Sequence, residues 1–335
     1  MPPWRQRSSA RVRAGTRVRA DRARRAAWTL FLVGAAAMAA ETDYSVTLDA
    51  LWDFDAPAAS EQRFRAERDR HPAHTREWLE AGTQVARSLG LQRRFADADA
   101  TLDGIAPDLD RAPARVRVRY LLERGRTRNS SGQPEKAVPL FTGALRACDD
   151  DALQGADFYR IDALHMLGIA APEDARIAWD RKALAVAEAA PDARARGWRG
   201  SLLNNLGWAE HERGNYAAAL DDWQRALALR EAAGNAGLIR IARWTVARGL
   251  RSLGRLDEAE AMQRALAAER GNASEEGGDG YVYEELAELA LARNDAAAAR
   301  PFAARAYALL KDDADLAANE KPRLARLARI GGVAP

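Results

Sequence analysis

The chain has 335 residues, of which 47% are apolar and 30% charged, and its net charge at pH 7 is +3. This composition suits either two compact domains or a helical repeat array. The single cysteine, Cys148, excludes an intramolecular disulfide and a thiolate metal cluster.

Residues 1–40 are predicted to form a disordered basic leader that ends in an apolar segment. The first 25 residues contain nine arginines and one aspartate, and without them the net charge becomes −5. The rest of the chain is therefore mildly acidic, so the sequence predicts no nucleic-acid-binding face.

The apolar segment, residues 26–40, is fifteen residues long, whereas a membrane-spanning helix needs roughly 20. No stable membrane span is expected. Two interpretations stay open: the segment is the core of a signal peptide that ends near Ala39, or residues 1–37 precede a natural start at Met38. We prefer a cytoplasmic protein that begins near Met38, with export as the alternative.

Residues 41–74 are expected to form an N-terminal capping half-repeat. Its helix is predicted over residues 59–70, with Ser60 as the N-cap and His71-Pro72 as the end signal. This half-repeat would cover the apolar face of the first full repeat.

The segment Ser201–Glu231 contains two amphipathic helical patterns joined by a turn at Gly214. The small residue Gly207 lets two helix backbones approach closely, while Tyr216 and Trp223 fill the space between the helices. This segment resembles a tetratricopeptide repeat (TPR), a helix-turn-helix unit that stacks on copies of itself.

Equivalent positions recur along the chain at a nearly fixed period. One position in the second helix of each repeat is spaced by 39, 39, 43, 40 and 40 residues, and it holds Ile105, Ala144, Ala183, Ala226, Leu266 and Ala306. A second small position holds Ala98, Ala137, Ala219, Ala259 and Ala299, and the turn position holds Arg93, Gly132, Gly214, Gly254 and Asn294. These spacings predict six helix pairs over residues 75–310.

The resemblance implies an all-α fold: a right-handed TPR-type superhelix, or α-solenoid, of about six helix pairs plus capping helices. The third repeat departs most from the pattern, because Pro172 lies in its turn and either Ala175 or Arg176 could take the small position. A C-terminal capping helix over residues 320–330, followed by a tail, is expected within residues 311–335.

No catalytic constellation is predicted, so the protein is not expected to be an enzyme. His71 and His74 flank Pro72 without a cysteine or a phased carboxylate beside them, which makes a poor metal site. Neither a metal nor a cofactor is expected.

In TPR-type solenoids the first helix of each pair lines the concave face, so equivalent first-helix residues form rows across the array. Arginines in these rows can donate to carboxylates, and aromatic residues can supply contact area. The predicted groove residues are Arg87, Arg119, Arg126, His165, Asn204, Asn205, Trp208, Trp244, Arg248, Arg251, Tyr281 and Glu284.

Leu203-Asn204-Asn205-Leu206 resembles the LNNLA element of kinesin light chain repeats, which are also longer than the basic TPR unit. By that resemblance, Asn204 or Asn205 holds the backbone of a bound peptide. An amide suits this role because it both donates and accepts a hydrogen bond. The alternative is that one asparagine bonds a neighbouring helix.

The leading hypothesis is a non-enzymatic scaffold whose groove binds a peptide segment of another protein. The predicted groove is basic at its arginines but acidic at Glu284, Glu285 and Glu288, so an acidic segment of the partner is expected to face the arginines. The alternative is a regulatory sensor for a small ligand or regulatory protein, similar to the TPR domains of bacterial transcription activators.

Overall fold

The computed structural model describes residues 44–271 and 279–334. The predicted leader, residues 1–40, lies outside the described residues, and so do both interpretations of its apolar segment. Within the described ranges the regular elements are α-helices and one 3-10 turn, without a strand. The chain divides between residues 133 and 134 into two compact units.

The first unit consists of five helices and the 3-10 turn. They are α1 (Tyr44–Ala50), α2 (Pro57–Arg68), α3 (Arg76–Leu91), α4 (Phe95–Asp103), the turn Ala106–Asp108, and α5 (Ala114–Ser130). Helix α3 packs against α2, α4 and α5. Its core includes Leu48 and Phe64 from the first two helices, both fully buried.

The N-terminal cap differs from its prediction in two ways. The structure has α1 in addition to the predicted helix, and that helix begins at Pro57 rather than after Ser60. Ser60 is not the N-cap: it is fully buried inside α2, and its hydroxyl accepts from N of Asp53 at 2.8 Å and donates to O of Asp53 at 2.9 Å. The serine thus fixes the loop between α1 and α2.

The second unit contains the remaining helices of the described chain. They are α6 (Pro134–Ala147), α7 (Ala156–Ala170), α8 (Glu173–Ala189), α9 (Ala193–Arg196), α10 (Arg199–Glu212), α11 (Tyr216–Ala233), α12 (Ala236–Ser252), α13 (Leu256–Gly271), α14 (Gly280–Ala292), α15 (Ala296–Leu310), α16 (Ala314–Asn319) and α17 (Lys321–Gly331). Successive helices pack as neighbours, and α17 packs against α15. This is the stacking expected of TPR-like helix pairs.

The predicted repeat positions are confirmed by burial and backbone conformation. The five small-position alanines are all 0% exposed, and the six marker residues are 2% exposed or less. All five turn residues have a left-handed backbone, with φ between 61° and 82°. The second predicted repeat is divided, since α5 belongs to the first unit and α6 to the second.

Gly207 and Trp223 make the closest helix contact of the central repeat. Trp223 is fully buried, and its Nε1 donates to the backbone oxygen of Asn204 at 3.2 Å. A Cβ atom on Gly207 would lie only 2.3 Å from that Nε1. The prediction that Tyr216 fills the same core is wrong: the residue is 37% exposed because it begins α11 at the surface, where its ring contacts His211.

The third repeat departs from its prediction, whereas the C-terminal cap agrees with its prediction to within one residue. Helix α8 follows Pro172, and Ile177 is buried in its first turns, whereas Ala175 and Arg176 are both only half-buried. Helix α17 begins one residue later than predicted and buries Leu324 and Leu327.

Candidate binding pocket of the second unit

The second unit contains a cavity of about 430 Å³ whose walls come from four helices of successive repeats. Its lining consists of two tryptophans and eight charged residues: Trp208, Trp244, Arg248, Arg251, Glu284, Glu285, Glu288, Glu320, Arg323 and Arg326. The first seven of these are residues that the sequence places in the groove, and the structure brings them together. They lie on α10, α12 and α14, and the last three belong to α17 and its N-cap.

The two tryptophans form an apolar wall that is fixed by packing. Trp208 is 4% exposed and Trp244 is 5% exposed, with ring centroids 6.2 Å apart. Trp208 also packs edge-to-face on Trp223, and Nε1 of Trp244 donates to the backbone oxygen of Tyr281 at 3.0 Å. Because each tryptophan is at most 5% exposed, the pair offers a ligand little contact area.

Two arginines share one buried carboxylate on the α12 side of the pocket. Nη1 of Arg248 lies 2.5 Å from Oε1 of Glu285, and Nε of Arg251 lies 2.8 Å from Oε2. Burial by itself raises the pKa of Glu285, but the two guanidinium groups outweigh this effect and hold the pKa below its ordinary value. We call Arg248, Arg251 and Glu285 the α12 subsite, which carries one more positive than negative charge.

Helix α17 supplies the opposite wall through pairs with α14. Nε of Arg323 donates to Oε1 of Glu284 at 2.7 Å, and Nη2 of Arg326 donates to Oε2 of Glu288 at 3.1 Å. Arg323 also pairs with Glu320 at 3.0 Å. We call these five residues the α17 subsite, which carries one more negative than positive charge.

The pocket therefore has no net charge, but its α12 subsite is positive and its α17 subsite is negative. A ligand with an anionic group near the α12 subsite and a hydrogen-bond donor or cation near the α17 subsite matches this distribution. Nε of Arg248 favours an anionic ligand group at the α12 subsite, because this atom is buried and has no hydrogen-bond partner among the described residues.

The other predicted groove residues of the second unit do not line this cavity. Asn204 is 2% exposed, and its Oδ1 has no hydrogen-bond partner within the described ranges, whereas Asn205 is half-buried. His165 lies with Nδ1 3.3 Å from Oδ1 of Asp180. Tyr281 is half-buried, with the Arg323 guanidinium 5.2 Å from its ring centroid.

Arg87, Arg119 and Arg126 belong to the first unit. Arg87 and Arg126 both pair with Glu123, at 3.3 and 2.6 Å, so they repeat the two-arginine arrangement of the α12 subsite. Arg119 is 4% exposed and pairs with the fully buried Glu80. The structure therefore buries Arg119 in an internal ion pair, whereas the sequence placed it on an open face.

The sequence placed Glu285 and Glu288 in the acidic part of the groove, and it missed three of the ten lining residues: Glu320, Arg323 and Arg326. The spacing of charged residues could have found the two arginines. Arg323 and Arg326 pair with glutamates 39 and 38 positions earlier, which is close to one repeat period, and Arg248 pairs with Glu285 37 positions later. Opposite charges one period apart on first helices therefore indicate ion pairs between neighbouring repeats.

Two kinds of feature are absent from the described ranges. No group of three or more His, Cys, Asp and Glu side chains there is placed to hold a metal ion. No helix in the same residues has the length and apolar character needed to cross a membrane.

Comparison with known proteins finds relatives by structure and not by sequence. No protein-family model matches the chain, and a search of curated proteins found no match. A chain of the APC/C hetero-tetramer Cut9–Hcn1 is similar with a TM-score of 0.56 at 15% identity, over 86% of this chain and 49% of that one. This chain thus spans about half the length of that structure.

The apo form of the quorum sensor NprR from B. thuringiensis is similar with a TM-score of 0.55 at 15% identity, over 86% of this chain and 81% of that one. TPR-like repeats of a Podospora anserina putative kinesin light chain give a TM-score of 0.49 at 17% identity, over 58% and 94%. At these identities the similarity concerns the fold. Together with the phased repeat positions, the similarity to the Cut9–Hcn1 chain and to NprR shows that the chain has the all-α helical solenoid fold of tetratricopeptide repeat proteins.

Proposed function

We propose that this protein is a non-enzymatic interaction scaffold whose pocket binds a peptide segment of a partner protein. The observation that carries the proposal is the cavity of about 430 Å³ on the first helices of successive repeats. Ligand sites commonly occupy roughly 300 to 1,000 Å³. The cavity is therefore large enough for one or two side chains of a peptide that continues along the groove.

The partner segment is proposed to be acidic where it meets the α12 subsite. Arg248 and Arg251 share a single carboxylate, so their remaining donors suit a second one. Arg248 is held in place by its pair with Glu285 and lies 5.6 Å from the Trp208 ring centroid, which limits the ordering cost of binding. Because the side chain is 29% exposed, association should weaken as salt concentration rises.

The α17 subsite would set the orientation of the bound peptide segment. Its surplus glutamate favours a lysine, an arginine or a backbone N–H next to the acidic group. Asn205 remains a proposed contact for the peptide backbone because it is half-buried, while Asn204 would need to move before it could reach a ligand. Arg87 and Arg126 are proposed to bind a further acidic group in the first unit.

The alternative function is a sensor for a small ligand with both charges. The cavity volume also fits a small molecule, and the chain shares its fold with a protein described as a quorum sensor. A thermal-shift screen of metabolites distinguishes the alternatives, since a sensor would be stabilised by a small molecule without any peptide.

The proposal is tested by selecting peptides from a random displayed library against the full chain and measuring their affinity by fluorescence anisotropy. Enriched peptides should contain acidic residues, and Arg248→Gln should weaken them by about tenfold or more for the loss of a charged hydrogen bond. Arg255→Gln is the matched control, because that arginine pairs with Glu258 on α13 and is not in the pocket.

Circular dichroism should show that both variants are folded, since Arg251 still neutralises Glu285 in Arg248→Gln. Equal affinity of the selected peptides for the wild type and Arg248→Gln would refute the pocket as the binding site. Failure to enrich any peptide, together with stabilisation by a metabolite, would favour the sensor.

A further inference from the structure

Arg230 on α11 is a buried cation that no carboxylate of the described residues neutralises. It is 6% exposed, and its only hydrogen bond with the described residues runs from Nη1 to the backbone oxygen of Leu238 at a long 3.4 Å. The other buried arginines of the described chain all pair with acidic groups: Arg115 and Arg119 with Glu80, and Arg124 with Asp99 and Asp103. Burying a charge without a partner costs several kcal/mol, so Arg230 requires an explanation.

Burial alone accounts for the electrostatic state of this side chain. It lowers the pKa of Arg230 to about 10, and no neighbouring charge acts in the opposite direction. The guanidinium is therefore still protonated at neutral pH. The folded protein therefore carries a largely buried positive charge at this point.

Packing does not require an arginine here. The position lies four residues after the marker Ala226, and the same position of the other five repeats holds Leu109, Cys148, Ala187, Arg270 and Leu310. Leu310 is 4% exposed and packs closely on Gly280, as the stem of Arg230 packs beside Gly200. Four of the other five repeats thus fill this position without a charged side chain, so the fold itself does not require a guanidinium there.

The start of α10 lies beside the guanidinium. Gly200 is the second residue of α10, and a Cβ placed on it would be 3.9 Å from Nε of Arg230. The N-cap residue Trp198 provides no side-chain hydrogen bond to the first turn, whereas α12 is capped by Asn235.

The N–H groups of Ser201 and Leu202 donate to the backbone oxygen of Trp198 at 3.1 and 3.0 Å. The donors that this turn can offer a ligand are therefore those of Arg199 and Gly200. Such N–H groups and the dipole at a helix N-terminus favour an anion.

We propose that Arg230 and the uncapped first turn of α10 form a binding site for a small oxyanion, either a phosphate or a carboxylate. The forked guanidinium donors match two oxygens of such a group, and the N–H groups of the helix add further donors. The bound anion would neutralise the buried charge. This site uses none of the residues that line the pocket, so it is independent of the proposed function.

The test compares thermal unfolding of the full chain in inorganic phosphate, in acetate and in chloride at matched ionic strength. The melting temperature should rise with phosphate or acetate and saturate, by about 2 to 4 °C at ten times the dissociation constant. The anion that saturates at the lower concentration identifies the preferred chemistry. No saturable rise above chloride with either anion would overturn the proposal.

Arg230→Leu places at this position the residue found in the last repeat. In chloride it should be more stable than the wild type, and it should lose the dependence on phosphate and acetate. Arg225→Leu is the matched control on the same helix, because that arginine is exposed and pairs with Glu188; it should keep the dependence. A dependence that survives Arg230→Leu would refute the site, and titration calorimetry of the wild type with phosphate tests it without any variant.

Discussion

Replacing Gly207 with alanine tests the closest helix contact of the central repeat. The added Cβ would lie 2.3 Å from Nε1 and 2.5 Å from Cδ1 of Trp223, a separation that real Cβ atoms do not reach. Trp223 is 0% exposed and cannot move without disturbing its neighbours. The variant must therefore shift either the indole ring or helix α10.

Three contributions set the expected size of the effect. Overpacking a core costs about 1 to 3 kcal/mol, and losing the hydrogen bond from Trp223 to the backbone of Asn204 adds about 1 kcal/mol. The higher helix propensity of alanine offsets roughly 1 kcal/mol of this loss of stability. The free energy of unfolding should therefore fall by about 1 to 3 kcal/mol.

Urea unfolding followed by far-UV circular dichroism measures this loss. Gly200→Ala is the control on the same helix, since its Cβ would lie 3.9 Å from the nearest atom of Arg230; it should be neutral or slightly stabilising. In a Trp223→Leu background, Gly207→Ala should lose most of its cost. If Gly207→Ala behaves like Gly200→Ala in the wild-type background, the assigned helix contact is wrong.

Three other substitutions give distinct outcomes. Arg93→Gly should raise the free energy of unfolding by about 1 kcal/mol in urea titration, because Arg93 holds a left-handed φ of 62° that glycine adopts without strain. Gln263→Leu should stabilise by about 1 to 3 kcal/mol in the same assay, because both polar atoms of this 0% exposed amide have no partner among the described residues; a destabilised variant would contradict this. Burial raises the pKa of Asp222 from 3.8 to about 6, so its stabilising contribution is complete below pH 3.8 and is lost as the pH rises through 6. Asp222→Asn should therefore recover up to about 3 kcal/mol at pH 7.5 and flatten the pH dependence of the melting temperature, whereas the exposed Asp221→Asn should not.

The repeat framework could be predicted from the sequence because it depends on local backbone requirements. A left-handed turn favours glycine or asparagine, and close helix contacts require glycine or alanine, so these residues recur at the repeat period. The repeat period also predicted a turn at Arg93, which has the left-handed conformation although it is neither glycine nor asparagine. Periodicity also placed Trp208 and Trp244 near Arg248.

The exposure of individual side chains could not be predicted in the same way. Whether Asn204 faces a groove or a neighbouring helix depends on how far one repeat rotates relative to the next, and helical period does not specify that rotation. The role of Glu285 was hidden for a related reason, because its partners Arg248 and Arg251 lie one repeat earlier. The extra helix α1 was missed because its seven residues are too few to show a clear helical period.

The position of α17 at the pocket links ligand binding to the local unfolding of this helix. In a stacked array each helix is held by its neighbours alone, and among the described helices α17 packs chiefly against α15 and α16. Arg323 and Arg326 place one wall of the pocket on this helix. A ligand that bridges α12 and α17 would therefore add a contact that opposes local unfolding of α17. Amide hydrogen exchange in α17 would slow in proportion to occupancy, even though the ligand contacts only a few of its side chains.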